Sequence, residues 1–116
     1  MEEQLISFET AKLVKEKGFN EKCIWYYCGN QHKLKQINLK GLQNSDFISF
    51  TSAPTQSLLQ KWLREKHNIK VYLIWYDDKL TEPRWSIYVN KTYINGNSNY
   101  ENALEIGLQE ALKLIK

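Results

Sequence analysis

The stretch PTQSLLQKWLREKHNIKVYLIWY, residues 54–76, decides the fold because it contains a helix that is followed directly by a strand. Pro54 suits the first turn of a helix, and Asn68 is a residue type that tolerates the left-handed conformation in which helices end. The alternation that starts at Ile69 is typical of a strand with one buried face. The stretch therefore predicts an amphipathic helix packed on a sheet.

Each element of this stretch carries one tryptophan on its apolar side. The apolar stripe of the helix consists of Leu58, Leu59, Trp62 and Leu63. The strand places Trp75 on the same face as Val71 and Leu73, because side chains two residues apart share a face. The sequence therefore predicts that both tryptophans lie in the core, and that any function uses the other sides of the two elements.

Toward the N-terminus the sequence predicts a helix and then two strands. Ser7 is a natural N-cap, and Gly18 ends the helix in a left-handed conformation with Phe19 against Val14. The runs CIWYYC (23–28) and LKQINL (34–39) predict strands. Residues 40–53 give no clear pattern, although FISF within them is compatible with a short strand.

Toward the C-terminus the sequence predicts a hairpin, a turn and a helix. RWSIYV (84–89) alternates like the strand at 69–76, and the short connection between them favours antiparallel pairing. NGNSN (95–99) predicts a turn whose end caps a helix over residues 100–115. Gly107 lies on the buried stripe of that helix, where a small residue lets another backbone come close.

These elements predict one α+β domain over residues 1–116. Three helices would pack on an antiparallel sheet of about four strands, in the order α-β-β-α-β-β-α, and the length suits a single domain.

Sequence features also predict the compartment. No apolar run approaches the roughly 20 residues that span a bilayer, and the acidic start has no signal-peptide core. Cys23 and Cys28 are separated by about 16 Å if they lie in one strand, and a disulfide needs Cα atoms within about 7 Å. We therefore expect a cytoplasmic protein with reduced cysteines and no membrane contact.

The net charge of +3 is unevenly distributed. Residues 22–72 contain eight basic and two acidic side chains, whereas the segments before and after them are slightly acidic. A basic middle segment permits an anionic partner without requiring one. The pI of about 8.8 is below the value above 9 that is usual for duplex-binding domains.

Catalytic and metal-binding patterns are lacking in the sequence. The five glycines form no phosphate-binding loop, and the histidines, His32 and His67, have no evident nucleophile beside them. Cys23, Cys28 and His32 would supply three zinc ligands without a fourth. The acidic residues Asp77, Asp78 and Glu82 are typical of a solvated hairpin tip. The sequence therefore predicts a non-catalytic protein without a metal or cofactor.

Two features suggest a binding surface instead. Lys61 and Arg64 are adjacent on the polar side of the second helix. The second face of the last hairpin interleaves basic residues with tyrosines, which can pair with phosphates and stack on bases. The predicted ligand-binding residues are Lys61, Arg64, Lys70, Tyr72, Arg84 and Tyr88. The alternatives are an ordinary solvated helix face, and tyrosines that a further helix or a second subunit covers.

Three segments resemble a family of short uncharacterised proteins encoded by bacteriophages and prophages: SFETAKLVKEKGF (7–19), APTQSLLQKWLREKHNI (53–69) and YENALEIGLQEALKLI (100–115). The resemblance implies a phage protein that works in the cytoplasm of a bacterial host. The family has no assigned activity, so it assigns no site residues. Small phage proteins of this kind are often accessory factors, including inhibitors of host defence.

Three functions follow as hypotheses. In the first, the protein binds an anionic small molecule in a pocket, with a nucleotide signal of host defence as the sharpest case. In the second, it docks on a host or phage protein through its aromatic sheet face. In the third, it binds nucleic acid weakly. The abundance of aromatic and apolar strand residues also predicts a homo-oligomer, most simply a two-fold dimer.

Overall fold

The computed structural model describes residues 4–21, 23, 25–28, 33–36, 50–77 and 83–115. Within these ranges it has three helices and six strands, namely α1 (Phe8–Glu16), β1 (Trp25–Cys28), β2 (Lys33–Gln36), β3 (Phe50–Ser52), α2 (Gln56–His67), β4 (Val71–Tyr76), β5 (Arg84–Val89), β6 (Thr92–Asn97) and α3 (Tyr100–Leu112). The α+β class, the three helices and the antiparallel pairing are confirmed. The strands, however, form two three-stranded sheets.

The chain divides into two compact units, Met1–Thr55 and Gln56–Lys116. Each unit contains one of the sheets, in the order β2-β1-β3 in the first and β4-β5-β6 in the second. The single domain that the sequence predicts therefore stays a prediction.

Helix α1 has both of the ends that the sequence predicts. The Ser7 side chain accepts a hydrogen bond from the backbone N–H of Thr10 at 3.2 Å. At the other end, Gly18 has a φ of 89° and donates to the carbonyl of Lys15, while Phe19 donates to the carbonyl of Val14. These two bonds are the Schellman arrangement, so local residue chemistry alone fixes the length of this helix.

The sheet of the first unit is tied to the segment before α1. Ile6 donates its backbone N–H to the carbonyl of Pro54 at 3.1 Å, and the hydroxyl of Tyr27 in β1 donates to the carbonyl of Ile6 at 2.8 Å. The ring of Tyr27 also meets Phe8 of α1 edge to face at 5.3 Å between centroids. Helix and sheet therefore share one buried core in this unit.

The sheet of the second unit is an antiparallel meander. β4 and β5 form the predicted hairpin, with Val71 opposite Val89 and Tyr76 opposite Arg84. A tight connection at Asn90, whose φ is 59°, leads into β6. The turn predicted at 95–99 is wrong for its first three residues, which belong to β6.

The two helices of the second unit contact each other and the sheet. Leu59, Trp62 and Leu63 of α2 are buried, and the helix ends at Asn68 with a φ of 53°, as predicted. The buried side chain of Gln56 donates to the carbonyl of Glu101 in α3 at 2.9 Å. α3 begins with an N-cap at which the Asn99 side chain accepts from the N–H of Asn102 at 2.8 Å.

Gly107 brings α3 close to the sheet. A Cβ atom at this position would lie 2.8 Å from Cγ1 of Val71 and 2.9 Å from Cγ2 of Ile87. The close approach that the sequence predicts is therefore present, but it is made to side chains of β4 and β5. Over the described residues, no helix has both the length and the apolar character needed to cross a bilayer.

Candidate functional site

One face of the second sheet is covered by α3 and the other carries exposed aromatic side chains. Val71 and Ile87 point toward Gly107 of α3, so their neighbours along each strand point the other way. We call this second side the outer face. It consists of Tyr72, Ile74, Tyr76, Arg84, Ser86, Tyr88 and Tyr93.

Three tyrosines form a row across the outer face. Tyr72 and Tyr88 are directly opposite on β4 and β5, and their rings stack at 5.3 Å with an interplanar angle of 8°. Tyr93 on β6 meets Tyr88 edge to face at 5.7 Å and 66°. Tyr72 and Tyr93 are 37% and 51% exposed, so the row offers aromatic surface to a ligand. We call it the tyrosine row.

Basic groups stand beside this row. The backbone N–H of Lys70 donates to Oδ1 of Asn90 at 3.0 Å, and the N–H of Asn90 donates to the carbonyl of Lys70 at 2.7 Å. These two bonds hold Lys70 next to the β5–β6 turn, which also carries Lys91. Both lysines are exposed, and each is two residues from a tyrosine of the row.

Arg84 supplies a further positive charge on the same face. Its Cζ atom lies 5.5 Å from the ring centroid of Tyr76, within the range of a cation–π contact. The missing side chain of Gly96 leaves room for it, because a Cβ there would lie 2.6 Å from Cδ of Arg84. The three strands contain no Asp or Glu, so the charge that they carry is positive.

The structure distributes the six predicted ligand-binding residues over helix α2 and the second sheet. Tyr72 and Tyr88 contact each other. Arg84 lies on the same face as this pair, and Lys70 lies at its edge. Lys61 and Arg64 are exposed on α2, on the side opposite its buried stripe.

Tyr93 and Lys91 belong to the arrangement but are missing from the sequence prediction. Tyr93 lies in β6 and Lys91 directly precedes it. The sequence does not predict this strand because Asn95, Gly96 and Asn97 are residue types typical of turns. The available signal is the run of strand-forming residues Thr92, Tyr93 and Ile94, which only two residues separate from β5.

The predicted burial of Trp75 is wrong, whereas that of Trp62 is confirmed. Trp62 is 7% exposed and Trp75 is 47% exposed. α3 approaches the sheet closely at Val71 and Ile87, and its first residue, Tyr100, contacts Trp85. The ring of Trp75 contacts that of Trp85 at 5.0 Å between centroids, and nearly half of its surface stays exposed.

A small cavity lies at the opposite end of the sheet. Its volume is about 170 Å³ and it is lined by Val89, Asn90, Thr92, Ile94, Glu110 and Leu114. The only charged side chain in this lining is a carboxylate, which pairs with Lys113 at 3.0 Å on the surface. The lining contains no basic side chain to pair with an anion, so this cavity does not match the predicted anion pocket.

The described residues offer no evident catalytic or metal centre. No three of their His, Cys, Asp and Glu side chains are grouped as metal ligands. His67 packs edge to face on Trp62 at 4.6 Å. Burial raises the pKa of the Cys23 thiol to about 11, which keeps it protonated near neutral pH. His32, Asp78, Glu82 and the side chain of Cys28 lie outside the described residues.

Comparisons with known proteins do not extend this picture. No protein-family model, curated protein or solved structure matches the chain. The resemblance to phage-encoded proteins stays a prediction, and the chemistry of the outer face is the basis for a functional proposal.

Proposed function

We propose that the protein is a non-catalytic binding protein whose outer face holds an anionic ligand with a planar ring, most simply a nucleotide. The observation that carries this proposal is the tyrosine row, whose two end members, Tyr72 and Tyr93, are exposed. The row lies between Arg84 on one side and Lys70 and Lys91 on the other. Aromatic rings stack on bases, and nearby basic side chains pair with phosphates.

Tyr93 is the natural stacking position for the base. It is 51% exposed and contacts Tyr88 through one edge, whereas Tyr72 and Tyr88 already stack on each other. Stacking of one base on one aromatic ring contributes about 1–3 kcal/mol. Lys70 and Lys91 lie at the same end of this face, and their ammonium groups would pair with a phosphate.

The cellular role that fits this chemistry is that of a phage accessory protein. In the cytoplasm of a bacterial host, a protein that binds a nucleotide signal tightly removes it from the defence system that uses it. This role rests on the resemblance of residues 7–19, 53–69 and 100–115 to phage-encoded proteins, together with the aromatic and basic outer face.

Docking on a host protein is the second candidate function. It is favoured by Ile74, which is 50% exposed in the middle of the outer face. An aliphatic side chain contributes neither stacking nor charge to nucleotide binding, whereas it is a common contact in protein interfaces. Weak binding of single-stranded nucleic acid is an extension of the first function, since the same rings would stack on successive bases.

A ligand screen tests the proposal. The protein is titrated by calorimetry and melted in the presence of mono-, di- and cyclic nucleotides and short oligonucleotides. A ligand at a hundred times its dissociation constant stabilises the fold by about 2.7 kcal/mol. Tyr93→Ala should then weaken binding about tenfold to a hundredfold, because one stacking contact is lost.

Tyr100→Ala is the matched control. Tyr100 is a comparably exposed tyrosine, at 42%, but it lies on the helix side of the sheet against Trp85. The proposal is refuted if no nucleotide or oligonucleotide shifts the melting temperature, or if both tyrosine variants weaken binding equally. A pull-down that then recovers one stoichiometric host protein would support the docking function.

A further inference from the structure

Strand β4 forms an edge of the second sheet, and one hydrogen bond shows which of its backbone groups point away from the sheet. The carbonyl of Lys70 accepts from the N–H of Asn90, so the backbone groups at position 70 point toward β5. Backbone groups alternate in direction along a strand, so those of Val71, Leu73 and Trp75 point away from β5. The carbonyl of Val71 accepts from the side chain of Gln60 at 2.6 Å, which agrees with this direction.

Among the described strands of the second unit, β4 is an edge strand and its outer side is unpaired beyond Val71. In the described part of the chain, no strand pairs with β4 on the side away from β5. Backbone N–H and C=O groups at an open edge are a template for another strand. Leu73 and Trp75 present such groups, while Gln60 occupies the carbonyl at the start of the strand.

β4 also lacks the features that prevent edge strands of two molecules from pairing. Its sequence, VYLIWY, contains no charge, no proline and no glycine. Four of its residues are exposed and large, namely Tyr72, Ile74, Trp75 and Tyr76. The other edge, β6, has Asn95, Gly96 and a register irregularity opposite Ile87 and Tyr88, which are protective features.

We propose that two copies of this chain pair through β4, antiparallel and across a two-fold axis. A two-fold axis places each β4 strand against a copy of itself. Because β4 carries no charge, the pairing brings no like charges together. In the register that we infer, Ile74 lies opposite Ile74 at the axis, and Leu73 lies opposite Trp75 on either side of it. The two sheets then become one continuous sheet.

The backbone directions are compatible with this register. A Leu73–Trp75 pair exchanges both N–H···O=C bonds, since both residues point their groups to the open edge, and the axis generates the pair twice. A register centred on Leu73 requires the carbonyl of Val71, which Gln60 already occupies. A register centred on Trp75 would pair Leu73 with Asp77, which lies beyond the end of β4. In the inferred register Tyr72 of one copy lies opposite Tyr76 of the other, so the exposed aromatic rings cover each other.

This pairing goes beyond the proposed ligand binding and does not depend on it. It joins the outer faces of two copies side by side and leaves the tyrosine at position 93 on the far edge of each sheet, where β6 lies. Loss of the dimer and loss of ligand binding are therefore separate observations.

The solution mass tests the proposal. Light scattering of the full chain at micromolar concentration should give twice 13.8 kDa. Ile74→Lys places two ammonium groups opposite each other at the axis and should give the monomer mass. Tyr93→Lys adds the same charge to the same face at a position with nearly equal exposure, 51% against 50%, but on the other edge strand, and should remain dimeric.

A mixing experiment separates repulsion from misfolding. Ile74→Glu alone should also be monomeric, and an equimolar mixture of the Lys and Glu variants should recover the dimer mass, because opposite charges then meet at the axis. The proposal is overturned if the unmodified chain is a monomer, if Ile74→Lys stays dimeric, or if the mixture stays monomeric. A nucleotide response from a monomeric chain would overturn the pairing and leave the ligand proposal standing.

Discussion

Replacing Gly107 by Ala measures how tightly α3 is held on the sheet of the second unit. The added Cβ would lie 2.8 Å from Cγ1 of Val71 and 2.9 Å from Cγ2 of Ile87, distances that are too short for carbon atoms in contact. Both partners are buried, at 4% and 0% exposure. Both are β-branched, so they cannot rotate away easily.

Two opposing effects set the size of the change. Ala is favoured over Gly in a helix interior by about 1 kcal/mol. Overpacking of a filled core costs about 1–3 kcal/mol. Because two rigid side chains oppose the new methyl group, we expect the cost of overpacking to exceed the gain in helix propensity. The free energy of unfolding should then fall by about 1 kcal/mol. The melting temperature should then fall by about 4 °C.

Urea denaturation followed by circular dichroism is the assay, with the double variant Gly107→Ala/Val71→Ala as the decisive comparison. Removal of Cγ1 of Val71 makes room for the new methyl group. The double variant should therefore lose about 1 kcal/mol less unfolding free energy than the two single variants lose together. Gly96→Ala is the control, since the atom that it meets, Cδ of Arg84, belongs to a flexible side chain that can move. An unchanged or higher urea midpoint for Gly107→Ala would refute the close packing.

Two further predictions concern the core. Trp62→Ala should lower the free energy of unfolding by about 3–5 kcal/mol, whereas Trp75→Ala should cost less than half as much, since Trp75 is 47% exposed; equal urea midpoints would contradict this. Burial, assisted by the charge of Glu21 and opposed by a hydrogen bond with Ser52, raises the pKa of Cys23 from 9.0 to about 11. The folded state therefore holds the proton more tightly, and this stabilisation is complete below pH 9.0 and is lost as the pH rises toward about 11. The stability of the native chain relative to Cys23→Ser should accordingly decrease over that interval in urea titrations, and a constant difference would show that the thiol is exposed.

The sequence predicts best where a structure depends on local chemistry. Ser7 and Gly18 bound α1 through hydrogen bonds to backbone groups within a few residues, so their residue types are sufficient. Asn68 ends α2 for the same reason. The pairing of residues 71–76 with 84–89 follows from strict alternation and a short connection.

The sequence predicts poorly where a structure depends on distant partners. Trp75 has the correct parity for burial, but burial also requires a covering element, and α3 makes its close approach to the sheet at Val71 and Ile87 instead. Residues 95–97 have turn chemistry, yet pairing with β5 makes them a strand, and the gap at Gly96 accommodates Arg84. The tyrosine row was therefore predicted only as far as Tyr72 and Tyr88, without Tyr93.

The hydrogen bond between Ile6 and Pro54 affects the order in which the two units fold. It joins the two ends of the first unit, so this unit needs contacts between residues far apart in sequence, and such contacts form slowly. The second sheet is a meander of neighbouring strands, whose contacts are local and form fast. On the ribosome the first unit emerges first, but it cannot close until residue 54 has left the exit tunnel. We therefore expect the first unit to complete its folding late, when synthesis of the second unit has already begun.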